Sequence, residues 1–393
     1  MKKVWFTITM SWGPAIAIGA ASLFALLLLF FQIGSLTKGA HPAEVAVAQS
    51  YPSYTSVVKK PIDAPYYIIR NTVRKVRPKS GIIITRGISA LIGFISVGLF
   101  YALVSLWYRP RVAILGTLLY VSSNWLLRND RIGLPDIKQS LVLLLIFLPA
   151  WLKRTQHKQM AILGAVMAGI YLLHIPGMIW FVLLGMIWRA QSLGSELKKA
   201  SKPFVIGLLM FFVITISPLV YSIINQPSVL LQLAGIPNNL LLLDVMRNFV
   251  AIPTHLFAQG DGNSLLGVGR MPILDVFTTF MVLLGAIATW QSRKLDRSKI
   301  VLGILAVGFI LSCLGGSMLM TILIPPIYLL ATAGIGYMLN EGLCVFPKNP
   351  LARGIATVLI TVAVIIASAF HITNYFIAWP NTPQTRVTFS QRY

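Results

Sequence analysis

The groups of this chain that could do chemistry gather in a few short runs. His41-Pro42-Ala43-Glu44 sets an imidazole and a carboxylate three positions apart, and Asn129-Asp130-Arg131-Ile132-Gly133-Leu134-Pro135-Asp136 ends on an acid just before an apolar run that opens near Lys138. A later stretch reads Gln259-Gly260-Asp261-Gly262-Asn263 and then Gly269-Arg270-Met271-Pro272-Ile273-Leu274-Asp275. A carboxylate held beside a helix end can take a proton from a hydroxyl, and cations can stabilise a departing phosphate. Arg270 suits a phosphate clamp, because a guanidinium fork meets phosphate oxygens in charge-assisted hydrogen bonds. Each run also has a plain structural use. Asp136 fits a helix N-cap, Gly-Asp-Gly-Asn a turn, and Pro272 with Asp275 a helix start. His41 and Glu44, three apart, could share a divalent metal on a helical turn, although two ligands do not complete a site.

Composition dictates the scaffold that must hold these groups. Of 393 residues, 56% are hydrophobic and 11% charged, with a mean hydropathy of +0.78, too little polar surface to cover a water-soluble globule. Apolar runs recur at about 13–33, 83–106, 112–127, 139–152, 160–174, 175–188, 204–224, 274–290, 300–315, 318–339 and 353–371. Several reach the ~20 residues of a spanning helix. The expected fold is therefore an all-α polytopic integral membrane protein of about eleven transmembrane helices over residues 1–371, with a short tail at 372–393. The first run is longer than the roughly 7–15-residue core of a signal peptide and is taken as a retained span. Cys313 and Cys344 fall in an apolar run and a short loop, which argues against a disulfide framework.

The formal charge of +23 sits between the spans, without a nucleic-acid motif. Arg109 with Arg111, Lys153 with Arg154, Lys198 with Lys199, and Arg293 with Lys294 all fall on one side if the N-terminus is cytoplasmic. Because basic loops flank 160–188 at both ends, that stretch must go in and return, reversing at His174-Ile175-Pro176-Gly177. Its halves and the runs at 112–127 and 139–152 are short for a full crossing, so their outer ends would line a depression. The other side receives two long connections, about 36–82 and 225–273, and the tail. Glu44, Asp63, Asp130, Asp136, Asp244, Asp261 and Asp275, seven of ten acids, fall there with His41, His174, His255 and His371. Longer loops collect polar residues of every kind, and this alone could account for the bias. Placement beside helix ends equally suits chemistry at the outer face. Within Pro61 to Val76, Tyr66, Tyr67, Ile69 and Val73 alternate with Arg70, Arg74 and Lys75, the pattern of an amphipathic helix in the membrane interface, as a headgroup anchor or a basic collar for a lipid phosphate.

Arg86-Gly-Ile-Ser-Ala-Leu-Ile-Gly, Arg111-Val-Ala-Ile-Leu-Gly and Arg131-Ile-Gly-Leu-Pro-Asp136 follow one another in an order and spacing that resembles the GT-C membrane glycosyltransferases. The resemblance is to the branch of protein mannosyltransferases and lipid A aminoarabinose transferases. The first outer loop is similar too: Glu44 matches the Glu of that branch's Asp-Glu pair, and Lys60-Pro61 through Tyr66-Tyr67 matches its Lys-Pro segment. Ala43 stands where the family carries the Asp usually assigned as base.

This resemblance implies a GT-C-like fold and transfer of a sugar from a polyprenyl-phosphate donor to an acceptor at the outer face. Glu44 would act as base with Asp136 orienting the acceptor, and Arg131, Lys138 and Arg270 would meet the donor phosphate. His41, Lys60, Tyr66, His174 and Asp261 would border the substrate cavity. The implied partners are the lipid-linked sugar, membrane lipid and an acceptor of open identity (lipid, glycan or protein), with no nucleic acid and no cofactor beyond the possible metal. The implied location is a bacterial cell membrane, N-terminus inside and C-terminus outside. Two rivals stand beside it. A secondary transporter would need ionisable groups at the midplane of broken helices, and the spans carry almost none. An inactive relative that binds lipid-linked sugar or a partner fits Ala43.

Overall fold

The computed structural model describes residues 12–77, 81–135, 138–152, 155, 158–260, 262–265, 267–345 and 350–391. Among these residues the only extended pairing is an isolated bridge between Ala40 and Gln391, and the rest is helix and connection. After α1 (Trp12–Phe30), three short helices occupy the first long connection: α2 (Pro42–Gln49), α3 (Tyr54–Lys59) and α4 (Ala64–Val76). Then come α5 (Gly81–Trp107), α6 (Pro110–Ser122), α7 (Asn124–Arg131), α8 (Lys138–Leu152), α9 (Lys158–Leu173), α10 (Ile179–Lys199) and α11 (Lys202–Asn225). The second long connection carries α12 (Ser228–Leu233) and α13 (Leu242–Phe257). It leads into α14 (Val276–Gln291), α15 (Asp296–Gly315), a 3-10 segment (Gly316–Leu323), α16 (Ile324–Val345) and α17 (Pro350–Thr373). A π turn (Asn374–Ala378), α18 (Trp379–Asn381) and α19 (Pro383–Thr388) complete the described chain.

Among the described residues, five helices are long and apolar enough to cross a membrane, and six more are apolar but shorter, at 10–17 residues. These coincide with the eleven expected runs, and the chain is an all-α polytopic membrane protein. Large side chains on the outside of α11 confirm the solvent: Ile206, Leu209, Met210, Val213 and Ile214 are all exposed, a continuous apolar face that water would not tolerate. The run at 112–127 is not one helix. It breaks at Ser123, whose hydroxyl accepts the Leu126 amide at 3.4 Å and so starts α7 as a separate amphipathic helix. The reversal between α9 and α10 falls at residues 174–178, where Gly177 takes φ +80° and gives its N–H to the Leu233 carbonyl at 2.8 Å.

At the centre runs α16, with Ile324, Tyr328 and Ile335 fully buried. Its close partner is α14, and glycines make that closeness possible. A Cβ on Gly285 would stand 1.8 Å from the Leu330 carbonyl oxygen, and one on Gly334 would stand 2.1 Å from that of Met281. Small residues let two backbones touch where lipid offers no hydrophobic drive between helices. The long connections and the tail gather at one end of the bundle, and short connections close the other.

Candidate functional site at the loop-rich end

Glu44 lies at the centre of the loop-rich end. His41 N-caps α2 through its own side chain, accepting the Ala43 amide at 3.1 Å on Nδ1, and Glu44 at the third helical position reaches back to the His41 amide at 3.0 Å. This reciprocal box with Pro42 behind it is what the local sequence builds. Arg86, near the start of α5, then closes on the carboxylate with two contacts of 2.7 Å, from Nε to Oε1 and from Nη2 to Oε2. The Gly133 amide donates to Oε1 at 2.9 Å. Gly133 can approach because it has no side chain, as a Cβ there would meet the Thr85 hydroxyl at 2.4 Å. Glu44 is 0% exposed. Burial by itself would raise its pKa, but the Arg86 guanidinium, with the Gly133 and His41 amides, outweighs burial and holds it below the ordinary glutamate value.

A carboxylate offers about four lone-pair sites, and here four donors engage Glu44. The side chain expected as a base is therefore, in this geometry, a clamp joining α2, α5 and the connection after α7. Arg86 extends the clamp to the end of α1, donating to the Ile33 and Gly39 carbonyls at 3.3 Å each.

The arginines expected to face a phosphate or a headgroup turn inward as well. Arg131 is 3% exposed, donates to the Leu28 and Phe31 carbonyls at the C-terminal end of α1, and packs against the Tyr375 and Phe376 rings at 5.1 and 4.7 Å. Arg70, 2% exposed, does the same for α2 by donating to the Val47, Ser50 and Tyr51 carbonyls. Both satisfy carbonyls that a helix end leaves without partners. The amphipathic helix α4 thus faces the core with Tyr66, Tyr67, Arg70 and Asn71, and leaves Ile68, Ile69, Val73, Arg74, Lys75 and Val76 outside. Its outward cations and apolar side chains keep the character of an interfacial helix.

Among the expected cavity residues, Tyr66 is fully buried and donates to the Thr85 carbonyl at 3.3 Å. His174 is also buried, with Nδ1 against the Ile170 carbonyl at 3.0 Å, and its own carbonyl accepts the Asp63 amide at 2.8 Å. This ties the first connection to the α9–α10 reversal. Lys60 and Arg270 are exposed, and among the described side chains they are the cations of the expected set that remain available to an incoming anion. Asp136 and Asp261 lie outside the described residues, and Lys138 is placed only as the first residue of α8. Among the described residues no three of His, Cys, Asp and Glu gather as a cation would require.

The late connection folds back on itself. Gly260 donates to the Arg270 carbonyl at 3.1 Å, while Ile273 and Leu274 donate to the carbonyls of His255 and Leu256 at 3.0 and 3.1 Å. The tail then lies across both long connections: Trp379 Nε1 donates to the Ser264 carbonyl at 2.8 Å, and the Ala40 amide to that of Gln391 at 2.9 Å. Between the end of α1 and this tail sits a cavity of about 230 Å³, bordered by Thr37, Lys38, Asn381 and Arg386.

One pairing was invisible in the sequence. Asp275 N-caps α14 through the Phe277 amide at 2.9 Å and also meets His371 Nε2 at 2.9 Å, which joins α14 to α17. Burial would raise the Asp275 pKa, but the His371 contact and the Thr278 amide lower it overall. Asp275→Ala removes the cap and the contact together and is expected to cost about 2 kcal/mol. Asp275→Asn, which keeps the cap, should lower the thermal midpoint by less.

No family model matches the chain, and no curated protein matches it in sequence. Its fold is nevertheless similar to that of a solved structure, ArnT from Cupriavidus metallidurans in the apo state. The likeness has a TM-score of 0.52 at 13% identity over 96% of this chain and 78% of that one. At such identity the likeness shows the fold alone.

Proposed function

We propose that the protein is a membrane glycosyltransferase that moves a sugar from a polyprenyl-phosphate donor to an acceptor at the outer face. The observation that carries this is the GT-C-like fold over 96% of the chain, with the exposed Lys60 and Arg270 carried on its two long connections. Lys60 and Arg270 are the groups assigned to the donor phosphate, where charge developing on the leaving oxygen needs fixed donors. Glu44 is assigned a positioning role: it holds Gly133, which stands three positions before Asp136 in the chain. Asp136 is assigned as the base for the acceptor hydroxyl.

This division gives a clean test. Labelled sugar transfer would be followed from membranes charged with mixed polyprenyl-phosphate sugars. Asp136→Asn is expected to cut the rate by about 10²–10⁴-fold, the usual weight of a general base. Because Asn keeps the size and polarity of Asp, the thermal midpoint should stay near that of the intact protein. Normal transfer by Asp136→Asn would remove the assignment. Bound lipid-linked sugar without any transfer from the intact protein would replace the enzyme with a binding protein, the role favoured by Ala43 and the fully engaged Glu44.

A further inference from the structure

A cavity of about 470 Å³ lies at the end of the bundle opposite the site above, between the ends of α5 and α14, the starts of α6 and α15, and α16. Small residues leave the space: Ala288, Ala333 and Gly336 stand where larger side chains would fill it. Among the described residues its border includes Arg109 and Arg297 and no acidic residue. Arg297 packs over the Tyr108 ring at 5.2 Å and donates from Nη1 to the Trp107 carbonyl at 3.0 Å. A guanidinium has five N–H donors in a fork, and this anchoring leaves the rest of the fork at the cavity wall. The N-terminal ends of α6 and α15 meet there too, and that of α6 adds its partial positive charge, while Asp296 in the first turn of α15 offsets the other.

We propose that this cavity binds the phosphate headgroup of an anionic phospholipid, with Arg109 and Arg297 as its ligands. Basic pockets between spanning helices hold such headgroups. The surroundings point to a lipid in preference to a free phosphate. Beside the cavity, Ile114 on α6 and Leu283, Ile287 and Trp290 on α14 are exposed apolar side chains along which acyl chains can lie. Around its rim Arg111, Arg293, Lys294 and Lys299 are exposed together with Asp296, a net positive setting for a negatively charged leaflet. The site is separate from the proposed catalytic end and does not depend on the transfer activity.

The test uses the purified full-length chain in neutral detergent and reads its thermal midpoint. Phosphatidylglycerol, phosphatidylcholine and soluble glycerol phosphate would be added at matched concentrations. Phosphatidylglycerol is expected to raise the midpoint by about 3 °C at saturation, phosphatidylcholine and glycerol phosphate by much less. Arg109→Gln and the double variant Arg109→Gln/Arg297→Gln should lose most of that rise. Arg109 is exposed, so its variant keeps the lipid-free midpoint, and a lost rise there reports a lost site. Equal shifts from both phospholipids, or a full shift in Arg109→Gln, would overturn the proposal. A full shift from glycerol phosphate would overturn the lipid as its source.

Discussion

Glu44→Gln is expected to cost about 3–5 kcal/mol of stability, because it leaves the Arg86 guanidinium buried without its counter-charge. The partners are 0% and 7% exposed in their side chains, so water cannot take over. Gln keeps the shape but offers one acceptor oxygen where two now receive four donors. Thermal unfolding in detergent would show the loss, and Arg86→Gln should show one of similar size. If Glu44→Gln unfolded at the temperature of the intact protein, the clamp would not be a major support of the fold.

The same clamp makes a pH prediction with a definite sign. The folded Glu44 pKa lies below its ordinary value of 4.5. Its contribution is therefore fully present above that value, and it is lost as pH falls through the lowered folded pKa. Midpoints measured at pH 7 and then stepwise below 4.5 should fall more steeply for the intact protein than for Glu44→Gln, which has no proton to bind at that position.

Gly334→Ala is expected to be about as damaging, at roughly 3 kcal/mol or more, for a different reason. The new Cβ would sit 2.1 Å from the Met281 carbonyl oxygen and 3.1 Å from the Gly285 amide nitrogen. Those are backbone atoms of α14, which cannot swing aside as a side chain does, so the two central helices must separate. Gly285→Ala should behave alike. Gly98→Ala in α5 is the control: nothing lies within 4 Å of its Cβ. There Ala's better helix propensity should leave stability unchanged or improved by up to about 1 kcal/mol. Unfolding midpoints of the three variants would separate close packing from a general intolerance of glycine replacement.

The membrane class and the positions of the apolar helices were legible in the residues, as was the reversal at His174-Ile175-Pro176-Gly177. Hydropathy and turn chemistry are local properties that a run of ~20 residues carries by itself. The capping box at His41 and Glu44 is local in the same way, since three positions on one helical turn suffice to form it.

That Arg86 meets Glu44 was decided only in three dimensions. Arg86 and Glu44 are 42 residues apart, Gly133 and Glu44 are 89 apart, and His371 and Asp275 are 96 apart. Nothing in the local pattern distinguishes a cation that faces solvent from one that caps a distant helix, as Arg70 and Arg131 do. That choice follows from helix packing: once α1 and α2 end inside the loop-rich layer, their open carbonyls need donors, and the nearest guanidinium groups supply them. The sequence by itself therefore determined the solvent of this protein and the order of its helices. The tertiary structure alone decided which charges hold the loop-rich end together and which, Lys60 and Arg270 among them, stay open to a ligand.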